Sequence, residues 1–229
     1  MELVQQKLNV ISVCKVEPEN YKRPVYSKLW VDRLYKSVTR NLQLDFDFYC
    51  LSNDITSHDY TVLPLTNDTW GWWNKLEMFK ADQFTGPCLF LDLDIVICKN
   101  LTNIVQNLHS TSFYMVTEPY TNLMNSSIMY WNGDYDFIFT NYLSKKSYIE
   151  NKYKKATPEN PVIGDGGYIG EILGNRIIDI QNAMPANFVN WKHHKIDTPI
   201  DDPGILIFTG SEKPSSNLDM PYVQEHWIT

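Results

Sequence analysis

Apolar and polar residues fall into blocks of two different periods along the chain. Leu8 to Cys14, LNVISVC, is β-branched and apolar, the pattern of a buried strand. Between Ser27 and Leu42 the period lengthens: Trp30, Leu34 and Val38 recur at four-residue spacing, with Val31 and Tyr35 beside them. That spacing predicts an amphipathic helix. DFDFYCLS alternates like a second strand and ends in the turn pair Asn53-Asp54, and TVLPL reads as a short extended piece. Gly71 opens a segment in which Trp72, Leu76 and Phe79 share one helical face, and Gly86-Pro87 stops it. The run CLFLDLDIVI, Cys88 to Ile97, then predicts a third buried strand.

The order strand, helix, strand, helix, strand predicts an α/β layered domain with a mostly parallel sheet. Further along, SFYMVTE and NSSIMYW are apolar runs, Asp136 to Leu143 is helix-like, and a lysine-rich polar loop follows. GDGGYIGEIL comes next, then an expected strand at Arg176 to Ile180, NFVNWKHHKID and GILIFTGSEKP. No internal repeat, low-complexity tract or linker divides the chain, so residues 1–229 are expected to form a single domain.

Composition narrows the partners. A net charge of −7 argues against general nucleic-acid binding and against an anionic membrane surface. Lys152 to Lys155 is a short basic run, expected on a solvated face. No apolar run approaches the roughly 20 residues of a membrane span, and the start lacks the pattern of a signal peptide. Cys14, Cys50, Cys88 and Cys98 have no metal-ligand spacing and read as reduced core residues, so the expected location is cytoplasmic. The 7 Trp and 14 Tyr fit either an aromatic core or a stacking surface.

One feature of the third strand carries chemistry. Asp92 and Asp94 interrupt an otherwise apolar run, and a buried unpaired carboxylate is costly. If residues 88–97 are extended throughout, Leu89, Leu91, Leu93, Ile95 and Ile97 face one way, and Cys88, Phe90, Asp92, Asp94 and Val96 the other. The carboxylates then stand about 7 Å apart on one side. At a strand end they could converge on a hard cation, Mg²⁺ or Mn²⁺, carrying a diphosphate. The bland alternative is that they cap a helix or pair with lysines.

Two enzyme classes use this local pattern. Haloacid-dehalogenase-like phosphatases begin with an apolar strand and Asp-x-Asp-x-Thr/Val, which DLDIVI matches, and GDGG is similar to part of a later phosphatase element. Metal-dependent glycosyltransferases place Asp-x-Asp after a central strand. Here about 90 ordered-looking residues precede the motif, and Tyr168-Ile169 supplies no acid after the glycines. Position favours the glycosyltransferase.

GWWNKLEMF, LFLDLDIVI, NSSIMYW, GDGG, NWKHH and IFTGSEKP occur in the order found in bacterial and viral glycosyltransferases of the GT-A fold. That group is distantly similar to glycogenin-like and lipopolysaccharide galactosyltransferases, and the resemblance runs from about Leu8 to Trp227. It implies a GT-A, Rossmann-like single domain with a mixed, mostly parallel central sheet flanked by helices. Residues up to about 90 would form the nucleotide-binding half, and about 91–229 the metal, sugar and acceptor half. The implied donor is a nucleotide-diphosphate sugar, a UDP-sugar, with Mn²⁺ or Mg²⁺, and the implied acceptor is a hydroxyl on a glycan, lipid or protein. By the same resemblance Asp94 would bind the metal, and Asp92 the metal or the donor's ribose and sugar. Lys75 matches the basic residue preceding the metal motif, Asn125, Ser126 and Ser127 an element lining the sugar pocket, and Lys192 and Lys213 basic residues near the diphosphate.

Two positions depart from the pattern. The usual third metal ligand, a histidine, aligns with Ile207 or Thr209, leaving His226 or His193 as spatial substitutes. Relatives read Gly-Asp-Gln where this chain reads Gly164-Asp165-Gly166, so Asp165 remains as the candidate catalytic residue, holding sugar hydroxyls or the acceptor. A catalytically weakened sugar-nucleotide-binding protein is the third reading, motivated by the missing histidine.

Overall fold

A computed structural model describes residues 6–16, 26–67, 69–108, 111–118, 123–157, 162–183, 188–190, 203–210 and 212–228. The elements run β1 (Leu8–Val13), α1 (Lys28–Asn41), β2 (Phe46–Leu51), β3 (Thr61–Leu63), a 3₁₀ helix (Gly71–Phe79), β4 (Pro87–Leu91) and β5 (Ile95–Ile97). They continue with α2 (Thr102–Gln106), β6 (Phe113–Thr117), β7 (Met124–Asn132), α3 (Asp136–Ser144), α4 (Lys146–Lys152) and α5 (Gly164–Leu173). A 3₁₀ turn (Gly174–Arg176), β8 (Ile177–Asp179), α6 (Ile180–Ala183), β9 (Phe188–Asn190), β10 (Ile205–Ile207), a 3₁₀ turn (Pro214–Ser216) and α7 (Pro221–His226) complete them.

Seven strands among the described residues form the central sheet, in the order β3-β2-β1-β4-β7-β6-β8. The half β3-β2-β1-β4 is parallel throughout, while β7 runs antiparallel to both β4 and β6, and β8 pairs parallel with β6. The expected mixed, mostly parallel α/β sheet is therefore the observed one. Parallel strands end on one edge, so the carboxyl ends of β1, β2, β3 and β4 open onto a shared crevice, the usual ligand edge of an open α/β sheet.

Each face of the sheet is covered. The apolar stripe predicted for the first helix is the buried face of α1: Trp30, Val31, Leu34 and Val38 pack beneath Leu89, Leu91 and Tyr130 in one core cluster. On the other face Trp73, Leu76 and Phe79 of the first 3₁₀ helix pack with Ile138, Tyr142, Tyr168 and Ile169 against Cys88 and Phe90. Four tryptophans (Trp30, Trp73, Trp131 and Trp227) are buried, which supports the core reading for most of the aromatic content. Cys14, Cys50 and Cys88 are buried free thiols, and burial pushes the Cys14 and Cys88 thiols up to about 12. Lys154 and Lys155 lie exposed, as the solvated-face reading expects.

The continuous ten-residue strand is corrected. The strand ends at Leu91; Leu93-Asp94 turns the chain, and Ile95–Ile97 joins a second, three-stranded sheet of order β5-β10-β9. The expected alternation holds as far as Leu91, but Val96 packs in the same cluster as Ile95 and Ile97 instead of sharing a face with Asp92. A side chain's face is set by unbroken pleating, and the turn resets it. The expected strand at Arg176–Ile180 is likewise shorter, with helix starting at Ile180.

Candidate functional site

The turn after β4 places both aspartates at the crevice. Asp92 N–H donates to Ser127 O at 2.8 Å, which ties the turn to β7. Lys75, from the 3₁₀ helix, reaches across: its Nζ lies 2.8 Å from Asp92 Oδ1 and 2.9 Å from Oδ2. The same ammonium is 3.6 Å from Asp165 Oδ2 and 3.4 Å from Ser126 Oγ. Asp94 is held differently. Its Oδ2 accepts hydrogen bonds from the Lys213 ammonium and, at 2.8 Å, from the Tyr26 hydroxyl. The expected sites Lys75, Asp92, Ser126 and Asp165 thus meet in one cluster, with Asp94 and Lys213 beside it.

Asp165 reaches the cluster through the glycines around it. Gly166 allows α5 to close on β7: a Cβ there would sit 3.1 Å from Met124 O and 3.3 Å from Ser126 N. A glutamine at this position would have to push that backbone aside, which gives a physical reason for the departure from Gly-Asp-Gln. Asp165 Oδ2 is buried and accepts no hydrogen bond among the described residues. Its partner there is the Lys75 ammonium at 3.6 Å, an ion pair longer than a hydrogen bond.

The electrostatics follow from burial. Burial works to lower the Lys75 pKa, but the carboxylates of Asp165 and Asp92 outweigh it and hold the amine protonated well above its usual range. Asp92 moves up to about 6: burial raises it, the Lys75 charge opposes, and Asp94 raises it further. Among the described residues three carboxylates face two ammonium groups.

Other expected residues take supporting positions. Asn125 Oδ1 accepts from Ser127 N–H at 2.8 Å and its Nδ2 donates to Glu118 Oε1 at 3.2 Å, so the side chain shapes its own strand. Ser126 and Ser127 are buried. Lys192 and His193 lie outside the described residues. Ile207 is a core residue of β10, and Thr209 follows close to Asp94, whose carbonyl accepts from Phe208 N–H at 3.3 Å. The His226 ring lies 3.7 Å from Glu225 and stacks on Tyr222, and among the described residues no three acidic, cysteine or histidine side chains gather as a metal site. Tyr26 was not anticipated, because a residue 68 positions from Asp94 gives no local signal.

No family model matches the chain, and no curated protein matches it in sequence. Solved structures do match. The apo form of the glycosyltransferase GlyE of Streptococcus pneumoniae TIGR4 superposes with a TM-score of 0.58 at 15% identity, over 91% of this chain. An active-site mutant of LgtC superposes with a TM-score of 0.62 at 9% identity, over 95% of this chain and 93% of that one. The galactosyltransferase LgtC in complex with donor and acceptor sugar analogs gives 0.58 at 10% identity, over 90% and 88%. The fold is that of the GT-A glycosyltransferases. This chain spans 56% of the length of the GlyE chain, and at these identities the likeness speaks for the fold. Among the described residues no helix is long and apolar enough to cross a membrane.

Proposed function

We propose that the protein transfers a sugar from a nucleotide-diphosphate donor, a UDP-sugar, to a hydroxyl acceptor at the Lys75–Asp92–Asp165 cluster. The observation that carries this reading is the convergence of Lys75 and Lys213 on buried carboxylates at the carboxyl edge of the parallel strands. Residues up to about 90 would hold the nucleotide and the rest the sugar and acceptor.

The donor set suits a hard divalent cation in kind, being carboxylate oxygens alone. Among the described residues no three acidic, cysteine or histidine side chains form a cage, so diphosphate oxygens and water would complete the shell. Asp92 and Asp94 would hold Mn²⁺ or Mg²⁺, which would supply positive charge against the leaving diphosphate. The remaining chemistry belongs to the chain. The bond between the anomeric carbon and the diphosphate oxygen breaks with its electron pair leaving on oxygen, and the acceptor hydroxyl forms the new bond as its proton passes to the departing diphosphate. Lys75 and Lys213 stabilise charge that builds on the leaving group, more in the transition state than before it. Asp165 Oδ2 accepts a hydrogen bond from a sugar hydroxyl and fixes the ring.

Donor turnover tests this directly. Incubated with UDP-galactose, UDP-glucose or UDP-N-acetylglucosamine and Mn²⁺, the full chain should release UDP slowly without acceptor, since water replaces the hydroxyl. Binding without turnover would make it a nucleotide-sugar-binding protein. Release of phosphate from a generic ester with no nucleotide turnover would return the phosphatase reading.

A further inference from the structure

Asp94 is 5% exposed, and the two groups that meet its Oδ2 come from distant parts of the chain. The Tyr26 hydroxyl donates to it from just before α1, and the Lys213 ammonium donates from the segment after β10. That ammonium also lies 6.0 Å from the centre of the Tyr26 ring, so carboxylate, phenol and ammonium form one tight contact. The backbone of Lys213 is pinned independently of its charge. Its N–H donates to Ser216 Oγ at 3.1 Å, and its carbonyl accepts from Ser216 N–H at 3.0 Å and from Asn217 Nδ2 at 2.8 Å. The lysine's flexible four-carbon stem can therefore swing its charge while the segment stays closed. Lys75 differs, since it would keep Asp165 and Ser126 if a cation took Asp92.

We infer that Lys213 is a built-in rival of the divalent cation for Asp94: the cation displaces the ammonium, which turns to the donor's diphosphate. The inference rests on the nucleotide-sugar reading and adds how its two charged ligands depend on each other. A divalent ion and an ammonium repel one another across a single carboxylate oxygen, so Asp94 serves one at a time. The displaced ammonium is buried, and a buried cation needs an anion. The diphosphate is the anion that arrives with the metal. Metal alone is therefore held weakly and metal with nucleotide tightly, so the exchange couples the two binding events.

Titration of the full chain with Mn²⁺ and no nucleotide, followed by the electron-spin-resonance signal of the free ion, tests the rivalry. Lys213→Met should bind the ion about tenfold tighter than the wild type, although it removes a residue of the proposed donor site. Tyr26→Phe keeps the ammonium but takes one hydrogen-bond donor from Asp94, and should bind it about threefold tighter. Lys152→Met, at a surface lysine paired with Glu171, controls for lost positive charge and should match the wild type. With Mn²⁺ saturating, UDP should in turn bind Lys213→Met about tenfold more weakly than the wild type. Unchanged Mn²⁺ affinity in Lys213→Met would overturn the inference, or in Tyr26→Phe where the first variant does not fold. An equal gain in Lys152→Met, or UDP binding undiminished by Lys213→Met, would overturn it as well. A thermal shift of the wild type with UDP and Mn²⁺ separates the two readings. A shift alongside unchanged Mn²⁺ affinities sinks only the rivalry, whereas no shift sinks the donor reading beneath it.

Discussion

The two lysine–aspartate pairs of the site differ in origin and in burial. Lys75 and Asp92 are 17 residues apart, their side chains 15% and 19% exposed, and the lysine serves Asp92, Asp165 and Ser126 together. Lys213 and Asp94 are 119 residues apart, 9% and 7% exposed, and the lysine serves one carboxylate that Tyr26 also supports. The first pair is a shared cation at the rim of the crevice, set to meet a ligand. The second is more deeply buried and, before any ligand binds, fastens the segment after β10 to the turn after β4. Both halves serve the proposed donor site, but the second also ties two distant segments of the fold together.

Removing each lysine separately should expose the difference. Lys213→Met leaves the Asp94 carboxylate buried with only the Tyr26 hydroxyl, and breaking a buried pair in this way costs about 3–5 kcal/mol. Lys75→Met leaves Asp92, which is closer to water, and Asp165, which the lysine meets only at 3.6 Å, so a smaller loss of about 1–3 kcal/mol is expected. Urea unfolding of both variants in a chelator measures the two values. Equal losses would mean that the pairs play the same structural part.

A smaller effect comes from pH. The folded pKa of Asp92, about 6, lies above its ordinary 3.8, so the folded state favours the protonated acid. The stability this group contributes is fully present below pH 3.8 and is lost as the pH rises through about 6. Metal-free protein should therefore lose stability across that window, and Asp92→Asn should remove this part of the pH dependence. Melting curves at several pH values check it; a wild-type curve that rises through the window by the same amount as the variant's would contradict the assignment.

Much of the parallel half was legible in the sequence because its signals are local. The four-residue spacing of Trp30, Leu34 and Val38 gave the buried face of α1, and Leu89 and Leu91 alternate with Cys88 and Phe90 as a pleated strand requires. The break after Leu91 was hidden, since Leu93, Ile95 and Ile97 continue the apolar alternation after the chain has turned into another sheet. Lys75, Asp92, Asp94, Asp165 and Lys213 were nameable from their motifs. Their pairing was not, because which lysine meets which carboxylate depends on α5 closing on β7 and on β10 pairing with β5. The reach of Tyr26 to Asp94 is likewise a tertiary fact.

The central claim is that this cluster binds a nucleotide diphosphate through Asp92 and Lys75. Titration calorimetry of UDP into the wild type and into Asp92→Asn, with Mn²⁺ and again in a chelator, tests it most directly. The account predicts binding by the wild type that weakens at least tenfold on chelation, and an Asp92→Asn variant that folds but binds UDP no better with Mn²⁺ than without, a loss of about 1.4 kcal/mol or more. A folded wild type that binds no UDP under either condition, or an Asp92→Asn variant that binds it undiminished, would contradict the account.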